Sequence, residues 1–240
     1  MSKTFLTLDK KESLEVSDHT IKNAIILQET AKYAAVNNNF GVATSLMILS
    51  IEEIIKAQVL FFQGVGIRVH RIKNANKIFS SHKDKHQVAT QLQFSKIIEG
   101  FIKAMNYEPK EKKYKTGVRF MDSLLGGLHD IVNILEPVTL ISKSIEQMSE
   151  NVEWLEKAND LKNRGLYVDY KGDIKLPQDV PIETFDKASS INKECIDLYR
   201  IIKLSFEKIT DAEGKEILIQ SINNDLLPRI ENILNTKIEG

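Results

Sequence analysis

The chain has 240 residues, with 33 basic and 33 acidic side chains that cancel to a formal charge of zero; that balance excludes a protein that coats polyanions over its whole surface, so any nucleic-acid contact must come from a local basic patch. Hydrophobic residues make up 42% and are interrupted by only 11 glycines and 5 prolines, which favours long helices around one self-sufficient core over many short strands. The single cysteine, Cys195, excludes an intrachain disulfide and fits a reducing, cytoplasmic setting.

Residues 1–19 mix charge with scattered leucines and have no apolar signal core, so they read as a peripheral segment without a leader. A helix is expected from about Thr20 to Val36, where Ile21, Ala24, Ile25, Leu27, Ala31 and Ala34 follow a helical stripe. Asn37-Asn38-Asn39 ends it, and a second helix runs from Phe40 to about Phe62 before Gly64-Val65-Gly66. The two should form an antiparallel hairpin. The second helix is apolar almost all round and long enough to cross a bilayer, but Glu52, Glu53 and Lys56 sit at its middle. Three central charges without a second span point to a buried helix of a globular protein, with no membrane contact.

Residues 67–86 carry nine basic side chains, counting histidines, against one acid, Asp84. A third helix is expected over about 81–105, then a lysine-rich loop at 106–117 and a long helical pattern over 118–150, interrupted by Gly126-Gly127 and Pro137. Helical character resumes at 151–163. Leu166 to Tyr170 is the one extended segment, followed by a turn at Lys171-Gly172-Asp173. Pro177 and Pro181 bracket the entry to a helix at 181–208, and a last helix at 213–236 should bend at Pro228. The fold class is therefore all-α, a helical bundle over 20–208 with a small extended segment near 166–170 and a C-terminal helix within 209–240.

Two constellations could carry chemistry. Glu52 and Lys56 are four apart with the acid first, the favourable orientation for a pair on one helical face; Ser45 lies on the same stripe, and Glu53 projects about 100° away. Charges in so apolar a helix need partners, so this is either a structural ion-pair centre or a functional site. The second constellation is Ser80 to His86. His82 and His86 have the spacing of a metal pair, but Lys83 and Lys85 would repel a cation, so no metal or cofactor is expected. His82 beside Lys85 is better suited to proton transfer or to a phosphate. Arg68, Arg71, Lys77, Lys83 and His86 would then contact a partner, with Tyr167 and Asp169 joining from the extended segment. No phosphate-cradling loop, dinucleotide fingerprint, zinc-protease helix or nucleophile elbow occurs.

Three blocks in order resemble the AbiV family of bacterial abortive-infection proteins, within the HEPN superfamily of helical domains. They are Ala43 to Ala57 (A-x-S-L-x-x-x-S-I-E-E-x-x-K-A), Ser81 to Lys85 (S-H-K-x-K), and Gly165 to Tyr170 (G-L-Y-V-D-Y) followed by a turn and Pro177. The resemblance spans roughly residues 20–205. It implies an all-α fold, often dimeric, and a role in which an infected cell halts its own growth, through RNA or the translation machinery, when a phage protein is sensed. Several HEPN proteins are ribonucleases that use Arg-x4–6-His; no arginine here stands at that spacing before a histidine, and the nearest approximation is Lys77-x4-His82. The resemblance leaves two readings: an effector using Glu52, Glu53, Lys56, His82 and Lys85, or a non-enzymatic helical dimer that senses a phage product and binds a host factor.

Overall fold

The first helix begins at a capping box. In the computed structural model, which describes residues 5–68, 149–170, 172–209 and 212–228, Asp9 caps α1 (Lys10–Val36). Its carboxylate accepts from the Glu12 N–H at 2.9 Å, and Glu12 accepts in return from the Asp9 N–H at 3.0 Å. The reciprocal pair satisfies two amides that a helix start leaves open. The helix thus begins well before the stripe expected from Thr20. Its first turns bury Ser13 and Ser17 rather than large apolar side chains, so a search for apolar periodicity passes over them.

Asn37 to Asn39 turn the chain, with Asn38 in the left-handed region at φ 58°. The next helix, α2 (Phe40–Val65), packs back along α1 as the expected hairpin. It is buried on nearly every side and closes on Gly66, whose φ of 98° suits a residue without a Cβ. Around α2 lie α1, α3 (Ser149–Leu166) and α4 (Ile182–Lys208). The main core forms on the C-terminal half of α2, where the Phe61 ring meets Phe206 edge-on at 5.8 Å and Tyr199 at 6.2 Å. No described helix is long and apolar enough to cross a membrane.

Between α3 and α4 the extended segment folds into a hairpin of β1 (Asp169–Tyr170) and β2 (Ile174–Lys175). The strands are antiparallel, with Asp169 opposite Lys175 and Tyr170 opposite Ile174. Pro177–Asp179 then forms one 3-10 turn before Pro181 starts α4. The chain's last described helix, α5 (Ala212–Ser221), runs into a π-type stretch at Ile222–Leu226. The hydrogen-bond ladder thus changes register just upstream of Pro228, whose ring crowds the carbonyl four residues earlier and which has no N–H to offer it. Asn223 in that stretch donates to the Gly66 carbonyl at 3.0 Å and accepts from the Arg68 N–H at 2.7 Å, tying this stretch to the exit of α2. The helix expected at 81–105, the lysine-rich loop after it and all but the last two residues of the pattern at 118–150 lie outside the described residues.

Candidate functional site

The charges of α2 are paired, but not as their spacing suggested. Glu52 faces α3 and accepts from Lys162 at 2.7 Å, with only 18% and 9% of the two side chains exposed. Lys56 donates one turn back to Glu53 at 2.6 Å, and Asn23 of α1 donates to the other Glu53 oxygen at 3.3 Å. The expected Glu52–Lys56 pair is therefore replaced by two others. Glu52 meets a lysine on a packed neighbouring helix, which leaves Lys56 to the acid three residues before it. Among the described residues, the cation at Glu52 comes from α3.

Ser45 and two glycines fix the register that makes the Lys162 contact possible. The Ser45 hydroxyl donates to the Lys162 carbonyl at 2.7 Å and lies 3.0 Å from the Gly41 carbonyl of its own helix. A Cβ on Gly165 would stand 2.2 Å from the Gly41 carbonyl oxygen and 2.3 Å from Ser45 Oγ. A Cβ on Gly41 would stand 2.2 Å from the Pro177 carbonyl oxygen. Here α2, the end of α3 and the turn after β2 meet backbone to backbone, which only glycine permits. Lys162, three residues before Gly165, is thereby turned toward α2.

Further along α2, Ser50 is committed as well. Ser50 donates to the Ala24 carbonyl at 2.7 Å and accepts from Asn192 at 2.7 Å, while Gln28 donates to Asn192 at 2.6 Å. This buried network joins α1, α2 and α4, and its satisfied members specify the packing of all three. Ser17 of α1 donates to the Ala57 carbonyl at 2.7 Å and lies 3.2 Å from the Tyr199 hydroxyl. Burial raises the Tyr199 phenol above its usual range, because the ring has lost the water that would solvate a phenolate. Nearby, the hydrogen bond from Lys203 to Asp18 at 2.7 Å raises the lysine.

Of the other residues singled out by the sequence, Arg68 is exposed. Tyr167 on the hairpin approach is 64% exposed, and Asp169 accepts from the Tyr170 N–H at 2.9 Å. Arg71, Lys77, His82, Lys83, Lys85 and His86 lie outside the described residues. The sequence reading missed Lys162, Asn192 and Gln28. Lys162 had one signal in its favour, its place one turn before a glycine at a helix end; the other two had none. Among the described residues no three His, Cys, Asp or Glu side chains gather as a metal site. The carboxylates of α2 meet ammonium groups, and Ser45 and Ser50 donate to main-chain carbonyls. Among the described residues, these side chains set helix register and dock the helices on one another.

A family model described as AbiV, of the HEPN group, matches residues 12–197. No curated protein and no solved structure matches the chain. The match takes in all three sequence blocks, and two of them, Ala43–Ala57 and Gly165–Tyr170, meet where Gly41, Ser45 and Gly165 touch.

Proposed function

The chain belongs to the AbiV family of HEPN-type helical domains, whose role is abortive infection against phage, and we propose that it halts the infected cell by acting on RNA or the translation machinery. The observation that supports this target is the segregation of charge. A chain with no net charge places nine basic side chains, histidines included, against one acid in residues 67–86, and a local basic segment is what a phosphate backbone attracts. The protein acts in the cytoplasm as a homodimer, with a phage protein as its trigger. Adding the purified chain to a cell-free translation reaction, with and without extract of phage-infected cells, tests the target. Reduced synthesis in either arm is expected; unchanged synthesis in both refutes it.

A second reading has its own support. Glu52 and Glu53, the acids of the first sequence block, are both engaged by lysines, as suits a scaffold better than an acid–base centre. In this reading the protein is a non-enzymatic helical dimer that senses a phage protein and binds a host factor. Substituting His82→Ala separates the two. Plaque protection that survives, with fold and oligomeric state retained, favours the scaffold; protection lost from an intact fold favours the effector.

A further inference from the structure

Exposed apolar side chains are not spread evenly over the described residues. Seven of the fifteen large ones lie within residues 166–182, among them Tyr167, Val168, Tyr170, Ile174, Leu176 and Ile182. Scattered exposed apolar residues are ordinary, but a concentration of them marks an interaction surface. The two tyrosines, 64% and 72% exposed, present large amphipathic rings with few rotatable bonds, the side-chain type that dominates protein recognition. The surface is also firmly mounted. Gly165 seats against Gly41 and Ser45 just before it, and the Pro177 carbonyl seats against Gly41 just after it, so little order remains to be lost on binding.

The charge on this surface selects its occupant. Residues 166–182 carry Asp169, Asp173 and Asp179 against Lys171 and Lys175, and Glu183 and Asp186 open α4; even with the flanking Arg164 and Lys187 counted, acids outnumber bases five to four, a net −1 in a chain whose total is zero. A phosphate backbone would be repelled, and a polypeptide with basic residues beside apolar ones would be attracted. Strand addition is not the favoured mode, because the Tyr170 and Ile174 N–H groups already donate to the Asp169 and Asp173 carboxylates at 2.9 and 2.8 Å. Recognition falls to the side chains.

We propose that the β1–β2 hairpin and its flanks are the docking surface for a basic, apolar-bearing polypeptide segment of a partner protein. The proposal rests on the second functional reading, contact with another protein, and gives that contact a place and a chemistry.

The test uses the full chain and a short fluorescein-labelled peptide of alternating leucine and lysine, read by anisotropy, with a leucine–glutamate peptide as counterpart. Wild type should bind the basic peptide at least about tenfold more tightly than the acidic one. The Tyr167→Ser/Tyr170→Ser variant should lose about tenfold in affinity, and Asp173→Asn/Glu183→Gln should weaken binding in a salt-dependent way. Tyr33→Ser, which alters an equally exposed ring on α1 (73%), should bind like wild type. Circular dichroism and the urea midpoint check that each variant folds; should the double variant fail, Tyr170→Ser alone gives the readout. Equal binding by wild type and the hairpin variants, an equal loss in Tyr33→Ser, or no preference for the basic peptide overturns the proposal. So does a fluorescein-labelled single-stranded RNA that binds wild type and loses affinity in Tyr167→Ser/Tyr170→Ser, since that marks a nucleic-acid surface. Cell-free translation read in parallel keeps the two ideas apart. Wild type that binds the peptide but leaves synthesis untouched ends the translation reading alone; hairpin variants that bind normally end the docking proposal whatever synthesis does.

Discussion

Replacing Lys162 by Met keeps most of the side chain's bulk and removes the charge opposite Glu52. Breaking a fully buried ion pair from one side costs roughly 3–5 kcal/mol, because the remaining charge is stranded. Glu52 keeps 18% of its side chain exposed and Lys162 keeps 9%, so water offsets part of that penalty, and a loss of about 2 kcal/mol is expected. Glu52→Gln should cost less, about 1 kcal/mol, because the long lysine stem can carry its ammonium toward solvent. The double variant strands no charge, so its loss should fall short of the sum of the single losses by about 1–2 kcal/mol. Urea titrations followed by far-ultraviolet circular dichroism provide all four corners of the cycle, and an unchanged m-value licenses the comparison. Single effects that add to within ~0.5 kcal/mol would mean that the two charges do not feel each other. Plaque assays supply the functional half. The double variant should still protect cells, since its fold is kept; protection abolished at an unaltered urea midpoint would return Glu52 to the list of reacting groups.

Gly165→Ala should destabilise by about 2 kcal/mol. Overpacking against main-chain atoms costs about 3 kcal/mol, and the better helix propensity of alanine returns at most ~1; a urea midpoint at or above wild type would show that α2 and α3 part easily. Asn192→Ala leaves Gln28 without its buried acceptor and should cost about 2 kcal/mol, roughly 5 °C in Tm for a chain of this size, which differential scanning calorimetry can read. Stability should also fall in alkali. Tyr199 and Lys203 both have folded values raised above the ordinary 10.0 and 10.5. Their contribution is complete below those values and is lost as pH rises through the folded ones, because the unfolded chain releases its protons first. Tyr199→Phe should flatten the decline in Tm above about pH 10; a decline as steep as wild type's would show that the phenol plays no part.

The elements most legible in the sequence are those that depend on neighbours in the chain. The asparagine run between α1 and α2, the all-round apolar α2 and the short extended segment before a Lys-Gly-Asp turn each announce themselves by local composition. Helix limits at Ser149–Leu166 and Ile182–Lys208 fall close to the patterns at 151–163 and 181–208. The start of α1 escaped because its capping box precedes any apolar stripe. The pairing of α2 escaped for a different reason. Glu52 can choose between Lys56 nearby and Lys162, 110 positions away, and the choice is made by how closely α2 and α3 approach. The glycines at 41 and 165 set that approach, and their mutual contact cannot be read from either local sequence. The Gln28–Asn192–Ser50 network is hidden likewise, since each member alone looks like an ordinary polar residue on an amphipathic helix.

Cys195 is the chain's one thiol and is wholly shielded in the core. A colourless disulfide reagent added to the native protein should therefore develop colour only as fast as α4 lifts from α2, which turns the natural thiol into a clock for global opening. The same shielding makes the wild-type background suitable for attaching probes. A cysteine introduced at an exposed hairpin position such as Tyr170 would take up a maleimide dye long before Cys195 does, with no need to delete the native residue and disturb its packing.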